Sequence, residues 1–414
     1  MINLLEPMHN NKFIRYISIF VIFTFAFYFN QASILADDFK GLESSSLEPV
    51  QDVEGEWGLK IVVLNVGQAD AILVFAPNGD VCLIDSGKFP KDGKKIFDYL
   101  NKKELNGIGK YTTIDLLFTT HYDQDHMGGV AEVVAKGIKI RKAFDQGLSL
   151  RRKLLTDKGN ISKYAEYVKA VGDPNNNREQ DGNESGYVRH TIQYDHSEWI
   201  GTGDNIKIRC VGVRGDTKGT KYDKDLDPSN KPGRYDENPG SIALVLRMGE
   251  FEFYTAGDQS DDCWKHEPNV ETRIINSGTI DGGNDIDVLK ISHHGSDTSS
   301  GKKFIQSLDP EMAIISTKYV KGQNLPRKIT LKTLQDNNCY VLITGDGINP
   351  DIGDYNESNA KKAKEDDGWN ASDEAVYNKQ GDVMVLVSND GSRYTVYGNS
   401  FTNTFSAKDE DNVH

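Results

Sequence analysis

The chain has 414 residues, with 48 lysines and arginines against 62 aspartates and glutamates, so its formal net charge is −14. A hydrophobic content of 37% suffices for a sizeable core, and the length allows about one large domain or two to three ordinary ones, so a wholly disordered chain is not expected. The single long apolar run excludes a polytopic membrane protein. The acidic balance argues against capture of nucleic acid by the whole surface, but a local site could still bind phosphates.

The N-terminus has the features of an export signal. Lys12 and Arg15 precede a charge-free run from Tyr16 to Phe29, and a stretch ending at Ala36 precedes two aspartates. This run is shorter than the ~20 residues that span a bilayer, which favours a cleaved signal peptide at 1–36. An uncleaved N-terminal anchor is the alternative, and both place the rest of the chain in the periplasm or the extracellular space. We expect no transmembrane domain beyond this segment.

Short apolar strands and helical patterns alternate through most of the remaining chain. Apolar residues three and four apart predict helices at Lys94–Leu100 and Val130–Lys136, between strands such as IDLLFTT and EFEFYTA. Such a mixture indicates an α/β layered domain. The predicted organisation is a linker at 37–56, one domain at 57–404, and a disordered acidic tail at 405–414. Within the domain we predict a polar insertion or long surface loops at about 146–235, around one strand at Ile206–Val213.

The four cysteines include no CxxC pair, so a cysteine-based zinc knuckle is excluded. Cys82, Cys210 and Cys339 each lie in a short apolar run. We predict that they are buried small hydrophobic residues rather than catalytic thiols, while export leaves disulfide formation open.

The strongest chemical motif follows the strand IDLLFTT. His121, Asp123, Asp125 and His126 fall within six residues, before two glycines and the helical run VAEVVAK. Imidazole and carboxylate ligands together suit Zn, Mn or Fe better than Mg or Ca alone. A calcium loop is excluded, because Val134 stands at the twelfth position, where an EF-hand needs a carboxylate.

Two further strands end in residues that bind metals. EFEFYTA is followed by Gly257 and Asp258, and DVLKIS is followed by His293 and His294. Each feature alone is weak, since Gly-Asp after a strand is an ordinary turn. Their conjunction with the first cluster predicts a metal site at one edge of a sheet.

Five segments in chain order resemble a known family. They are Asn65–Ala71, Leu83–Gly87, His121–Gly129, Asn238–Leu246 running into Asp258, and Leu289–Ser300. Together they resemble the metallo-β-lactamase superfamily, and within it the extracytoplasmic metallohydrolase domain of ComEC-type competence proteins, which shares the HxDxDH form of the cluster. The resemblance implies an α/β fold of the metallo-β-lactamase type, an αββα sandwich of two mixed sheets flanked by helices.

The resemblance also implies a ligand set for one or two divalent ions, Zn or Mn. Asp258 would be the bridging carboxylate, and we favour His293 as the ligand because it directly follows the strand, which leaves His294 to face the substrate. The superfamily's usual extra histidine between the cluster and the aspartate has no clear match, and the ComEC-type pattern places Asn238 near the site instead. The expected metal ligands are His121, Asp123, Asp125, His126, Asp258 and His293.

Other residues receive roles by the same resemblance. Asp125 would orient or deprotonate the attacking water, and His294 would stabilise or protonate the leaving oxygen. Asp85 would hold a ligating histidine, and an ordinary turn aspartate is its competing interpretation. The expected residues that line the pocket or contact phosphate are Gln68, Asp70, Ser296 and Ser299.

The sequence thus favours an exported metal-dependent hydrolase, a phosphodiesterase or nuclease whose substrate is a phosphodiester such as nucleic acid. Hydrolysis of an ester, lactone or amide, including a β-lactam, is one alternative, although Asp123 in place of the usual histidine opposes it. A non-catalytic secreted protein that binds a protein partner is the other, but it leaves the intact ligand set unexplained.

Overall fold

The computed structural model describes most of the chain from Trp57 to Ala407. The predicted signal peptide, the predicted linker and the acidic residues from 408 onward lie outside the described residues. Among the helices of the described part, none combines the length and the apolar character needed to cross a membrane. The described ranges are 57–102, 110–147, 158–172, 188–219, 237–261, 269–278, 280, 285–318, 320, 325–345 and 376–407.

The first sheet has nine strands in the order β17-β16-β15-β1-β2-β3-β4-β5-β6. It is mixed, because β3 to β6 pair in parallel and the other neighbours pair antiparallel. Its strands are β1 Trp57–Val63, β2 Ile72–Phe75, β3 Val81–Ile84, β4 Thr113–Phe118, β5 Lys139–Asp145, β6 Val188–Thr191, β15 Val383–Ser388, β16 Arg393–Tyr397 and β17 Thr402–Ser406.

The second sheet has eight strands in the order β14-β13-β12-β11-β10-β9-β8-β7. It is also mixed, with parallel pairing from β10 to β14 and antiparallel pairing from β7 to β10. Its strands are β7 Ser197–Ile200, β8 Ile206–Gly212, β9 Ala243–Met248, β10 Phe251–Thr255, β11 Val288–Lys290, β12 Met312–Ile315, β13 Tyr340–Ile343 and β14 Val376–Tyr377.

Helices cover the outer faces of the two sheets. The central core joins inward residues of both sheets, such as Ile61 and Phe251, while Val62 faces the opposite way, into a second core shared with helices. This alternation follows from the two-residue period of a strand. The helices are α1 Pro90–Asn101, α2 Gln124–Met127, α3 Val130–Ala135, α4 Lys158–Val171, α5 Val270–Asn276, α6 Lys302–Leu308 and α7 Lys328–Asp336.

The predicted αββα sandwich of two mixed sheets is therefore confirmed. A third core packs α5, α6 and α7 against the second sheet, through residues such as Ile274, Phe304 and Leu334. The helical pattern predicted at Lys94–Leu100 lies within α1, and the one predicted at Val130–Lys136 matches α3 except for its last residue. Cys82, Cys210 and Cys339 are buried free thiols, as predicted.

The polar range at 146–235 differs from the insertion that we predict. The predicted strand is present as β8, but the other described parts supply α4 and the strands β6 and β7, so the range is built into both sheets and the helical layer. At the C-terminal end, β17 runs to Ser406, which places the first two residues of the predicted tail in a paired strand.

Candidate metal centre

The loop after β4 presents its two histidines to one point. His121 and His126 are fully buried, and their ring centroids lie 4.1 Å apart. The turn into α3 needs glycine, because a Cβ at Gly128 would lie 2.1 Å from the Lys88 carbonyl oxygen and one at Gly129 would lie 2.1 Å from that of Ser86. The close approach of these loops therefore holds the two imidazoles in place.

β10 brings Asp258 to these imidazoles. Gly257 turns the chain with a φ of 54°, and a Cβ there would lie 2.3 Å from Thr120 Oγ1. The Asp258 carboxylate is buried, with Oδ1 3.2 Å from His126 Nε2 and Oδ2 4.0 Å from His121 Nε2. Asp258 thus lies between two sheets, at the position that we predict for a bridging ligand.

β11 adds two adjacent histidines that differ in burial. Both have left-handed backbone angles, φ 50° at His293 and 54° at His294, so successive side chains separate sharply. His294 is buried and its Nδ1 donates to the Ser316 carbonyl over 2.9 Å, while its Nε2 lies 3.8 Å from Asp258 Oδ1. The His293 side chain is 28% exposed, and its Nε2 lies 3.7 Å from Asp258 Oδ2.

Four buried atoms at this point have no hydrogen-bond partner among the described residues. They are the Nε2 atoms of His121, His126 and His294, together with Asp258 Oδ1. Buried polar atoms are rarely left unsatisfied, and converging imidazole and carboxylate atoms suit a divalent cation. In the described part of the chain, ligand atoms of His121, His126 and Asp258 lie within 4.8 Å of one another, as do those of Asp70, Asp258 and His294. These residues therefore fit a divalent metal.

Asp85 orients the second histidine of the cluster. Its Oδ2 lies 2.7 Å from His126 Nδ1, and it accepts hydrogen bonds from Thr120 N and Thr120 Oγ1, each over 2.8 Å. A hydrogen bond from Nδ1–H leaves the Nε2 lone pair of an imidazole free for a metal. Asp85 thus lies where the expected supporting role requires it.

His121 has a support that the sequence did not indicate. Its Nδ1 lies 3.2 Å from Ser241 Oγ and 3.2 Å from Thr120 Oγ1. Ser241 lies two residues before β9 in the matching segment, but a serine there gives no signal by itself. It follows the 3₁₀ turn Asn238–Gly240, which places the buried Asn238 next to the loop that carries His121.

Burial and neighbouring charges move the pKa values of the centre in different directions. Burial and the neighbouring His126 lower the pKa of His121 to about 4. Burial also opposes protonation of His126, but Asp258 and Asp85 outweigh it and raise its pKa well above the usual value. Burial would raise the pKa of Asp258, yet His126, His293 and His294 hold this pKa well below its usual range. Asp258 is therefore a carboxylate at neutral pH, ready to bind a cation.

A buried ion pair adjoins the centre. Lys290 Nζ lies 2.8 Å from Asp70 Oδ1, and both side chains are 1% exposed. Asp70 Oδ1 is also 3.7 Å from His294 Nδ1. Burial raises the pKa of Asp70, but Lys290 and the nearby histidines outweigh this and lower it. Asp70 was expected near the site, whereas Lys290 was not, although a lysine inside the apolar strand DVLKIS was the available signal.

The two remaining carboxylates of the motif lie at the rim. Asp123 Oδ2 is 3.9 Å from His121 Nε2, with 24% of its side chain exposed. Asp125 Oδ2 is 3.7 Å from Lys88 Nζ, and its side chain is 18% exposed. The structure therefore brings Asp123 towards the buried imidazoles and pairs Asp125 with a lysine.

Three other residues, Gln68, Ser296 and Ser299, were expected to line the pocket or contact phosphate. Gln68 Oε1 and Ser299 Oγ are buried without a hydrogen-bond partner in the described part of the chain. Ser296 Oγ lies 3.0 Å from Thr298 Oγ1, which in turn lies 3.0 Å from His293 Nδ1. The loop after the histidines is thus tied to His293 through Thr298, which the sequence interpretation did not single out.

Comparison with known proteins gives one similar sequence. No family model matches the chain. The chain is 26% identical over 313 residues to the ComE operon protein 3 of Bacillus subtilis (strain 168), an alignment that covers 72% of this chain and 32% of that protein. The chain therefore spans about a third of the length of this curated relative.

Solved structures were found at low similarity. A Parabacteroides distasonis protein assigned as a metal-dependent hydrolase has 13% identity and a TM-score of 0.34, over 72% of this chain and 96% of that one. A metallo-β-lactamase of Hirschia baltica has 12% identity and a TM-score of 0.25, over 50% of this chain and 70% of that one. The two mixed sheets with flanking helices, the order of the motifs and the ComE operon protein 3 similarity confirm the resemblance to the metallo-β-lactamase superfamily and its ComEC-type branch.

Proposed function

We propose that the protein is a metal-dependent hydrolase that cleaves phosphodiesters, with nucleic acid as the substrate class. The observation that carries this proposal is the convergence of three buried imidazole nitrogens on the Asp258 carboxylate. Imidazole and carboxylate atoms that converge in this way suit a divalent cation. The HxDxDH form of the cluster favours a phosphodiester over a β-lactam.

The proposed ligands are His121, His126, His294 and Asp258, with Asp123 at the rim. This exchanges the two histidines of the sequence-based assignment. His294 is buried and its Nδ1–H is already used by the Ser316 carbonyl, which leaves its Nε2 for a metal. His293 is partly exposed and lies within 3.7 Å of Asp258, so we place it against the substrate.

A bound divalent ion supplies Lewis acidity and lowers the pKa of a nearby water. The chain's own residues provide the remaining requirements of hydrolysis. Asp125, partly exposed at the rim, is placed to accept a hydrogen bond from the attacking water. His293, held by Thr298 Oγ1 at 3.0 Å, is placed to donate to the leaving oxygen. An imidazole-rich set fits Zn first, and the rim carboxylates also allow Mn.

The proposal also includes export. The basic residues and the apolar run before Ala36 support it, and the relative's name places that protein in a ComE operon. Action outside the cytoplasm suits hydrolysis of an extracellular phosphodiester, with a protein partner as a further possibility for the surface loops.

The test is turnover of bis(p-nitrophenyl) phosphate and of linear single- and double-stranded DNA by the full chain, supplied with Zn or Mn. Asp258→Asn should lose at least about a hundredfold in rate, because its carboxylate lies at the centre of the ligand set. Asp98→Asn, on the exposed side of α1, is the matched control and should keep full activity. Bound metal without turnover of any phosphodiester would contradict the proposal and favour ester, lactone or amide hydrolysis, or a binding role.

A further inference from the structure

An exposed aromatic ring lies beside the metal centre between β3 and α1. Phe89 is 42% exposed. Among the large hydrophobic residues that the structure describes, only Trp199 and Ile329 are also exposed. Lys91 Nζ lies 5.5 Å from the centroid of the Phe89 ring. Single exposed hydrophobic residues are ordinary, but this one lies between two lysines in the sequence, in the loop whose Lys88 contacts the metal-binding motif.

The neighbouring lysine contacts the site directly. Lys88 Nζ lies 3.7 Å from Asp125 Oδ2, and 36% of the Lys88 side chain is exposed. We call Lys88, Phe89 and Lys91 the Lys-Phe platform. One of its cations contacts a carboxylate of the predicted metal-binding motif, and the other lies over the exposed ring.

Backbone hydrogen bonds attach the platform to the loops of the centre. Gly87 N donates to the Asp70 carbonyl over 2.7 Å, and Gly128 N donates to the Gly87 carbonyl over 2.9 Å. Asp92 Oδ2 accepts from the backbone N–H groups of Lys88 and Phe89, at 3.0 and 2.9 Å. These hydrogen bonds thus fix the backbone of the platform relative to the loops of the centre.

The charge of the platform is unusual for its surroundings. The chain carries a net charge of −14, and the rim of the centre adds the carboxylates of Asp123 and Asp125. Both features repel an anionic substrate, so a phosphodiester needs local cations on its approach. Lys88 and Lys91 supply two cations close to Phe89 in the chain, and the Lys91 ammonium lies over one face of its ring.

We propose that the Lys-Phe platform holds one single strand of nucleic acid beside the metal centre. A base stacks on the Phe89 ring while flanking phosphates contact Lys88 and Lys91. An exposed aromatic face combined with cations is the usual arrangement for single strands, because every unpaired base presents a face for stacking, which a duplex hides. This inference rests on the proposed phosphodiesterase function and specifies its substrate.

The experiment compares a short single-stranded oligothymidylate with bis(p-nitrophenyl) phosphate, a substrate too small to reach along the platform. Phe89→Ala should lower kcat/KM for the oligonucleotide about tenfold, mostly through KM, because one stacked base is lost. The loss for bis(p-nitrophenyl) phosphate should be at least about fivefold smaller. Phe89→Trp should preserve oligonucleotide cleavage, and Ile329→Ala, an exposed hydrophobic residue on α7, is the matched control.

Salt dependence tests the lysines separately. Lys91→Ala should reduce the slope of log(1/KM) against log salt concentration by about 0.7 for a single strand. If Phe89→Ala affects both substrates equally, or no more than Ile329→Ala does, the platform inference is wrong although the phosphodiesterase proposal stands.

A failed phosphodiesterase proposal has a different signature. The metal-loaded wild type would then cleave neither substrate. Binding of a fluorescently labelled oligothymidylate, measured by fluorescence anisotropy, would still test the platform. Equal affinity of wild type and Phe89→Ala in that assay would overturn the inference, as would a preference for duplex over single strand.

Discussion

The imidazole Nδ1 of His126 lies 2.7 Å from Oδ2 of Asp85, and both side chains are almost completely buried. Asp85 uses both oxygens, since Thr120 N donates to Oδ1 and Thr120 Oγ1 donates to Oδ2, each over 2.8 Å. One carboxylate therefore sets the ring orientation of His126 and the position of the loop that begins at Thr120. The orientation of this proposed metal ligand thus depends on a residue that contacts its other ring nitrogen, Nδ1.

Asp85→Asn should weaken metal binding by about ten- to a hundredfold, the usual effect of removing a partner of a ligating histidine. Asparagine tolerates the left-handed backbone found here, φ 57°, so the turn itself should persist. It offers one acceptor oxygen where the carboxylate offers two, so one of the three contacts is lost. Competition with a chelator of known affinity measures the change, with Asp98→Asn as control. Unchanged affinity would show that the Asp85 contact does not orient a ligand.

The buried pair of Lys290 and Asp70 leads to a prediction about stability. Lys290→Met should lower the free energy of unfolding by about 3–5 kcal/mol, because it leaves Asp70 buried without its cation. In Lys290→Met/Asp70→Asn, which buries no charge at this position, at least half of the loss should be recovered. Urea unfolding with excess chelator measures both without any contribution from metal. Additive losses in the double variant would contradict this account of the pair.

Much of the centre could be predicted because its residues lie in short segments at strand ends. His121, His126 and Asp258 follow apolar strands, and parallel or neighbouring strands bring such ends to one edge. The pairing of Lys290 with Asp70 could not be predicted, because the two residues are 220 positions apart and only the stacked sheets bring them together. A local sequence pattern does not indicate contacts between residues so far apart in the chain.

The choice between adjacent histidines shows a second limit. Their order after β11 favours the first as ligand, but both residues have positive φ, and this backbone buries His294 and leaves His293 partly exposed. Such angles are rare for residues with side chains, so no pattern predicts them. The polar range at 146–235 shows a third limit. Its apolar strand at Ile206–Gly212 is recognisable from the sequence, whereas Val188–Thr191 and Ser197–Ile200 lie among polar residues that resemble surface loops, yet both pair as strands.

Lys60 should make stability depend on pH above neutrality. It lies on β1 with its ammonium 5.2 Å from the Trp57 ring centroid and 5.0 Å from that of Phe75. Burial lowers its pKa from 10.5 to about 8. Between these two values the unfolded chain binds more protons than the folded one, so the free energy of unfolding rises with pH from about 8 to 10.5. Below about pH 8 both states are protonated and the contribution is constant.

Lys60→Met should remove this rise, which amounts to at most about 3 kcal/mol, and should stabilise the protein at pH 7. The measurement is urea unfolding at half-unit steps from pH 7 to 10.5, with Lys94→Met on the exposed side of α1 as control. Tyrosines also titrate near the upper end, so the difference between variant and wild type is the relevant quantity. Parallel curves for the two proteins would contradict the assignment.

Gly257 offers a test of whether close packing around Thr120 maintains the metal site. Gly257→Ala introduces two problems, a φ of 54° and a Cβ only 2.3 Å from Thr120 Oγ1, the hydroxyl that also donates to Asp85. Gly278→Ala introduces only the first, since its φ is 57° and no atom lies within 4 Å of the added Cβ.

Gly278→Ala should cost about 1–2 kcal/mol of stability through backbone strain alone and leave metal affinity unchanged. Gly257→Ala should cost more and also weaken metal binding, because Thr120 must move and Asp85 loses a donor. Thermal unfolding and chelator competition on both variants separate the two effects, and equal metal affinities would mean that the contact of Gly257 with Thr120 does not shape the centre.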